Sequence, residues 1–152
     1  MDSHVYDTSY VIVSEEAVGA HFVASVQNAL ARKEGLTVTE LLNEPFLLTE
    51  RGMSYRRLMD EKLAERSLEV RPVLETARAD VICSLVEEDM GLSFLPDYVT
   101  EEGVRSGRLK RLEVADFQVV VWKQLLYRRE KWLSPPMQAL IRHLSDIWLQ
   151  KR

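Results

Sequence analysis

The chain has 152 residues, a formal net charge of −4, 46% hydrophobic residues and 29% charged residues. These values are typical of one globular domain with its own apolar core, and they exclude an intrinsically disordered chain. The acidic balance also argues against a surface dedicated to nucleic acids, because such a surface is normally basic.

Strand-like and helix-like patterns alternate along the chain. Residues 10–13 are rich in β-branched side chains and predict a strand, whereas residues 17–33 have apolar side chains at helical spacing and predict a helix. Thr37 and Glu40 have the spacing of a capping box, which predicts a short helix after them. The remaining predicted strands are residues 46–48, 68–74, 92–95, 109–114 and 119–127, and the remaining predicted helices are residues 54–66, 77–90, 97–103 and 137–150.

Two residues are predicted to bound the helix over residues 77–90. Thr76 is expected to cap its N-terminus through the side-chain hydroxyl. Gly91 is expected to end it in a left-handed conformation, which glycine adopts at no steric cost. The alternation of elements as a whole predicts an α/β fold with a Rossmann-like, mainly parallel sheet and helices on both faces.

A polar elbow, residues 49–54, separates the predicted strand 46–48 from the helix that follows it. In a parallel α/β sheet, ligands collect outside the carboxyl ends of strands, near helix N-termini whose backbone N–H groups lack intrahelical partners. A carboxylate or phosphate can bind there, and the hydroxyls of Thr49 and Ser54 would add hydrogen bonds. Positive charge is available from Arg51, Arg56 and Arg57.

Two other loops have a comparable arrangement. Thr76 follows a predicted strand at the next helix start, and residues 91–96 supply a third strand and loop. Each serine or threonine alone can be explained as a helix cap worth about 1 kcal/mol. Three such loops together indicate a ligand-binding rim.

The order and spacing of several motifs resemble a known family. The chain has LL-x-x-PFLL from Leu41, then the elbow and helix, then V-x-x-x-LV-x-x-x-MGLSFLP from Val81. G-x-L from Gly107 and LY followed six residues later by LS, from Leu126, complete the series. This arrangement is similar to the effector-binding domain of LysR-type transcriptional regulators over most of the chain.

The resemblance implies half of a periplasmic-binding-protein type 2 fold, in which two α/β subdomains are joined by two crossover strands and the ligand lies between them. As a single domain over residues 1–152, the chain would then consist of a crossover strand segment (1–13), an α/β effector-binding subdomain (14–123), and a return strand with a C-terminal helix (124–152). The first subdomain and the DNA-binding helix-turn-helix domain are expected to be absent from this chain.

The resemblance also implies which residues contact the effector, commonly a small organic acid or similar metabolite. They are Thr49, Gly52, Met53 and Ser54 of the elbow, with Thr76 and Phe94 as further candidates. This agrees with the independent argument from the helix N-terminus.

The residues do not indicate catalysis, a cofactor or a metal site. His4, His21 and His143 lie apart and away from the predicted rim, and no CxxC, HxxxH or DxDxD spacing is present. Glu50 and Glu75 could pair as carboxylates at the rim, but glutamates are common near helix starts because they suit the helix dipole.

Cysteine usage and hydropathy bear on the compartment. The one cysteine, Cys83, cannot form an internal disulfide, which favours a reducing cytoplasm, and we expect its thiol to be buried and inert. No apolar run approaches the roughly 18 residues of a membrane span.

Without the first subdomain, the predicted strand 119–127 and the C-terminal helix are expected to expose apolar surface. Large exposed apolar patches usually bind partners. We expect a homodimer or domain-swapped pair. The other possibility is that the predicted C-terminal helix, residues 137–150, packs back on its own sheet. A stand-alone solute-binding or oligomerisation module is the alternative function. The residues expected at the interface are Trp122, Leu126, Trp132, Leu140, Leu144 and Trp148.

Overall fold

The computed structural model describes residue 5 and residues 7–150. The chain forms two compact units, one containing Val18–Val121 and the other containing the described residues up to Ala17 and those from Trp122 onward. The strands are β1 (Tyr10–Ser25), β2 (Leu47–Leu48), β3 (Leu74–Glu75), β4 (Ser93–Pro96), β5 (Leu109–Arg111) and β6 (Val119–Arg128). The helices are α1 (Val38–Leu41), α2 (Ser54–Ala64), α3 (Ala79–Glu87), α4 (Asp97–Arg105) and α5 (Pro135–Gln150), with a 3-10 turn at Ala29–Arg32.

The long strand β1 corrects the predicted helix over residues 17–33, which is wrong. Phe22, Val23 and Ala24 are at most 2% exposed, and β1 pairs with β4 along one edge and with β5 along the other. A strand that is buried on both faces has consecutive apolar residues instead of alternating ones. The apolar spacing of residues 22–30 therefore did not distinguish a strand from a helix.

The strand directions differ between the two sheets. β1 is antiparallel to both β4 and β5, so the expected mainly parallel arrangement is not confirmed for the larger sheet. β2 and β3 are parallel, and Phe46 forms a parallel bridge with Leu92 just before β4. α2 connects the parallel strands β2 and β3, because a helical connection returns the chain to the same end of the sheet.

The core of the first unit is built around aromatic rings. Phe22 contacts Phe94 and Phe117, each with ring centroids 5.0 Å apart, and Phe46 at 5.9 Å. Since these side chains come from β1, β4 and the segments before β2 and β6, their packing fixes the strands relative to one another.

The capping box at the start of α1 is confirmed. Glu40 Oε2 accepts hydrogen bonds from the Thr37 backbone N–H at 2.9 Å and from the Thr37 hydroxyl at 3.2 Å. Hydrogen bonding from Lys33 and from the Thr37 N–H lowers the pKa of the Glu40 carboxyl. The α1 start is also anchored from a distance, since the Val38 N–H donates to Asp116 Oδ1 at 2.9 Å.

The end of α3 differs from the prediction. Asp89, with φ 56°, is the left-handed residue, and the following Met90 N–H donates to the carbonyl of Leu85 at 3.1 Å. Gly91 has φ 158°, which is close to extended, so its predicted role as a left-handed cap is wrong. Glycine is required there for another reason: an added Cβ would lie 2.6 Å from the carbonyl oxygen of Pro45.

In the second unit, α5 begins at the predicted proline signal, Pro135. The ammonium of Lys123 lies 4.3 Å from the centroid of the Trp148 ring, and the Arg129 N–H donates to the carbonyl of Ser9 at 2.7 Å. Residues 1–4 and 6 of the predicted segment 1–13, including His4, and residues 151–152 of the segment 124–152 lie outside the described residues. Within the described part of the chain, no helix is long and apolar enough to cross a membrane.

Candidate functional site

The elbow follows the end of β2. Thr49 is 1% exposed, and its hydroxyl oxygen is buried without a hydrogen-bond partner among the described residues. Its backbone carbonyl accepts a hydrogen bond from Arg56 Nη1 at 2.6 Å. A buried hydroxyl without a partner costs folding free energy, because it has lost the hydrogen bonds that it makes with water.

The N-terminus of α2 lies directly after this elbow. Met53 is its N-cap residue, and no side chain within the described residues caps the helix there. Ser54 is the first helical residue and is exposed, so its hydroxyl does not occupy the capping position. The first-turn N–H groups of this 11-residue helix therefore have no side-chain cap, and the helix dipole adds partial positive charge at them.

Gly52 lies at the exposed tip of the elbow. A Cβ built on Gly52 would meet no atom within 4 Å, so the tip is open. The Met53 N–H donates to the carbonyl of Glu50 at 3.0 Å and closes the turn. Glu50 and Arg51 are also exposed there.

Thr76 lies beside the elbow, at the end of β3. Its backbone N–H donates to the carbonyl of Leu48 at 3.2 Å, which brings the ends of β2 and β3 together. Its hydroxyl accepts from the Arg78 N–H at 3.2 Å. The prediction that Thr76 is the helix cap is wrong, because α3 begins at Ala79 and Arg78 is the N-cap residue.

Phe94 lies in β4. Because Phe46 and Leu92 form a parallel bridge, side-chain alternation places Phe94 on the same sheet face as Phe46 and Thr49 on the opposite face. Phe94 is 1% exposed and lies in the aromatic core. It borders a separate cavity of about 570 Å³ that is also lined by Phe22 and Phe117.

Sequence reasoning treated Arg56 only as a source of positive charge and missed its burial. The Arg56 residue is 1% exposed and pairs with Asp60 and Glu75. The available signal was its helical spacing: Arg56 precedes Met59 by three residues and Leu63 by seven, which places it on the buried stripe of α2. Glu75 thus pairs with an arginine and not with Glu50.

Two further titratable groups, His21 and Cys83, have surroundings of their own. His21 Nδ1 lies 2.6 Å from Asp97 Oδ1, and the same carboxylate oxygen lies 3.2 Å from Arg111 Nε, so this pair belongs to an ion network near α4. Cys83 is half-buried, and burial raises the pKa of its thiol to about 11. Among the described residues, no group of three His, Cys, Asp or Glu side chains could hold a metal ion.

The fold defines the class of protein: an α/β domain with a periplasmic-binding-protein type 2-like fold. The chain belongs to the LysR substrate binding domain family, which matches residues 14–148. It is therefore an effector-binding domain of the LysR-type transcriptional regulators.

Known proteins similar to the chain include the HTH-type transcriptional regulator YwqM of Bacillus subtilis, with 32% identity over 70% of this chain and 36% of that regulator. The regulatory domain of CcmR from Synechocystis in complex with 2-PG has a TM-score of 0.75 at 20% identity, covering 95% of this chain and 70% of that domain. The effector-binding domain of QuiR in complex with shikimate has a TM-score of 0.77 at 15% identity, covering 99% and 70%. The match to YwqM thus spans about a third of the length of that regulator.

Proposed function

We propose that this chain recognises an anionic group of a small metabolite at the elbow between β2 and α2. The observation that carries the proposal is the buried hydroxyl of Thr49, which has no partner among the described residues and lies directly before the N-terminus of α2, where none of those residues provides a side-chain cap. A helix N-terminus can bind carboxylates and phosphates through its free N–H groups and its dipole. A hydroxyl that is costly in the unliganded protein supports a role that appears only when a ligand is bound.

The proposed contacts are divided by position. The backbone N–H groups of Gly52 and Ser54 would bind the anionic group, with Met53 holding the turn through the hydrogen bond of its N–H to the Glu50 carbonyl. The Thr49 hydroxyl would donate a hydrogen bond after the elbow shifts to admit the ligand. Thr76 borders the site through its position beside Leu48. Phe94, a further candidate, would support the site from the aromatic core.

The first prediction compares two buried threonines. Thr49→Val is expected to leave the free energy of unfolding unchanged or to raise it by up to about 1 kcal/mol, because it removes an unpartnered hydroxyl. Thr100→Val is expected to lower it by about 1–2 kcal/mol, because Thr100 Oγ1 donates to the Asp97 carbonyl and accepts from Arg111 Nε. Urea denaturation of the two variants and the parent measures the difference.

A ligand titration of the same two variants and the parent uses shikimate and inorganic phosphate as probes. We expect amide NMR shifts of residues 52–55 to respond to an anionic probe in the parent and at least tenfold more weakly in Thr49→Val. Thr100→Val, which lies outside the elbow, serves as the control and should keep the response of its folded fraction. Equal responses in Thr49→Val and the parent would contradict the proposed site.

We propose that residues 14–123 form the effector-binding subdomain, flanked by the crossover strand segment 1–13 and by the return strand and C-terminal helix 124–152, within a longer cytoplasmic regulator that is not an enzyme. Its HTH-type relatives and the 36% coverage of YwqM support a DNA-binding helix-turn-helix domain elsewhere in that regulator. In that arrangement the chain contacts DNA only through that other domain.

The second prediction concerns self-association. In the second unit, Leu140 is 56% exposed, Leu144 37% and Ile147 40%, and Trp132 is 78% exposed. We propose that this apolar face mediates a homodimer or domain-swapped pair. Light scattering at increasing concentration should give the mass of a dimer for the parent and of a monomer for Leu140→Glu, while the equally drastic Val73→Glu in the first unit, at a side chain 68% exposed, should remain dimeric. A monomeric parent at high concentration would refute the dimer.

A further inference from the structure

Arg56 is the largest fully buried side chain among the described residues, although it lies in a helix with many charged residues. A buried guanidinium is costly unless its charge is balanced and its nitrogens are hydrogen-bonded. Its neighbour Arg57 has a side chain that is 53% exposed and a single carboxylate, Glu61, at 3.8 Å. The two arginines therefore have different structural roles.

Two guanidinium nitrogens of Arg56 bind three groups on different segments. Nη1 donates to the Thr49 carbonyl at 2.6 Å and to Glu75 Oε2 at 3.0 Å, and Nε donates to Asp60 Oδ2 at 3.0 Å. Nη2 is buried without a partner among the described residues. The side chain thus connects the ends of β2 and β3 to α2.

The charges around Arg56 argue against a direct role in anion binding. Two carboxylates, Asp60 and Glu75, face one guanidinium, so its positive charge is already balanced within the protein. An anion at the elbow would gain little Coulomb energy from such a neutralised group.

We infer that Arg56 is a positioning residue, which holds the Thr49 end of β2 against the Glu75–Thr76 end of β3 and so preserves the geometry of the elbow. The inference rests on the proposed function of that elbow. Its guanidinium acts through the Thr49 carbonyl and the Glu75 carboxylate and does not itself contact the effector.

Hydrogen exchange in the unliganded protein tests this inference. The Thr76 N–H, bonded to Leu48, reports the junction of β2 and β3, and the Leu112 N–H, bonded to Phe22 at 2.8 Å, is the reference in the same unit. In Arg56→Met, which keeps an apolar stem, we expect Thr76 to lose at least tenfold more protection than Leu112. Arg57→Met is the matched control and should change neither amide.

Arg56→Lys distinguishes a guanidinium-specific bridge from simple charge. One ammonium cannot reproduce the rigid arrangement of Nη1 and Nε, so exchange at Thr76 should remain at least fivefold faster than in the parent. Should Arg56→Met fail to fold, Glu75→Gln removes a single partner whose side chain is 39% exposed, and it should still accelerate Thr76 selectively. Unchanged protection at Thr76, or equal losses at Thr76 and Leu112, would overturn the inference.

The shikimate and phosphate titrations separate this inference from the proposed function. If the amide NMR shifts of residues 52–55 in the parent protein do not respond to either probe, the proposed anion site is wrong. The hydrogen-exchange result still decides the role of Arg56 in that case. If the probe response is lost in Arg56→Lys without any change in Thr76 exchange, Arg56 contacts the ligand directly and the positioning role is wrong.

Discussion

Replacing Gly91 with alanine is expected to lower the free energy of unfolding by about 3 kcal/mol, the upper end of the usual cost of overpacking. The added Cβ would lie 2.6 Å from the Pro45 carbonyl oxygen, which is backbone and cannot rotate away. The same carbonyl accepts the Leu92 N–H at 2.8 Å, and the Leu92 carbonyl accepts the Leu47 N–H at 2.8 Å. The clash would therefore separate β2 from β4 at the bridge between them.

Thermal unfolding measures this effect, and a loss of 3 kcal/mol corresponds to a midpoint lower by about 6–12 °C for a domain of this size. Gly52→Ala is the matched control. Its Cβ would meet no atom within 4 Å, so it should be neutral or stabilise by about 0.4–1 kcal/mol. A Gly91→Ala variant as stable as Gly52→Ala would show that β2 and β4 do not approach each other as described.

Truncating Phe94 to alanine is expected to cost about 3–5 kcal/mol, because it leaves a cavity in the aromatic core. The ring contacts Phe22 at 5.0 Å and Phe117 at 5.9 Å and is 1% exposed. Chemical denaturation should show a midpoint shift without a change in slope. Met90→Ala, at a neighbouring side chain that is 57% exposed, should stay within about 0.5 kcal/mol of the parent.

Phe94→Leu separates packing from ligand binding, since it keeps an apolar side chain of similar volume. The variant should fold and should bind shikimate or phosphate as the parent does, because Phe94 and Thr49 lie on opposite faces of the sheet. Loss of the probe response in folded Phe94→Leu would restore Phe94 as an effector-binding residue. Such a result would also contradict the assignment of faces from the Phe46–Leu92 bridge.

Gly91 and Phe94, the residues changed in these two predictions, both belong to the segment MGLSFLP. That segment was the most informative part of the sequence for the family resemblance. The structure gives each a physical role: Gly91 permits a close approach of backbones, Ser93 and Phe94 lie in β4, and Pro96 ends that strand. The segment is distinctive because the close backbone contact at Gly91, the strand start at Ser93 and the core ring of Phe94 lie within four residues of one another.

Local patterns predicted the elements whose signals lie within a few residues. The capping box at Thr37 and Glu40, the start of α2 at Ser54 and the proline start of α5 required no knowledge of distant residues. The same holds for the elbow, because a strand end, a glycine and a helix start are adjacent in the chain.

Other features depended on distant partners and could not be read in this way. Residues 20–25 form a strand because β4 pairs with residues 20–23 and β5 pairs with residues 23–25. Asp89, and not Gly91, is the left-handed residue, and the close approach that requires glycine at position 91 comes from the distant Pro45 carbonyl. The register of the Phe46–Leu92 bridge likewise decided whether Thr49 and Phe94 lie on the same face of the sheet.

The sequence by itself determined the α/β alternation, the position of the polar elbow and the family, because these depend on periodicity, capping residues and the order of motifs. Only the tertiary structure decided which side chains surround the elbow. It alone buries Arg56 between Thr49, Asp60 and Glu75, leaves the Thr49 hydroxyl without a partner in the described part of the chain, and places Phe94 in the core. The physical reason is that burial and hydrogen-bond satisfaction depend on segments far apart in the chain, which a local pattern does not specify.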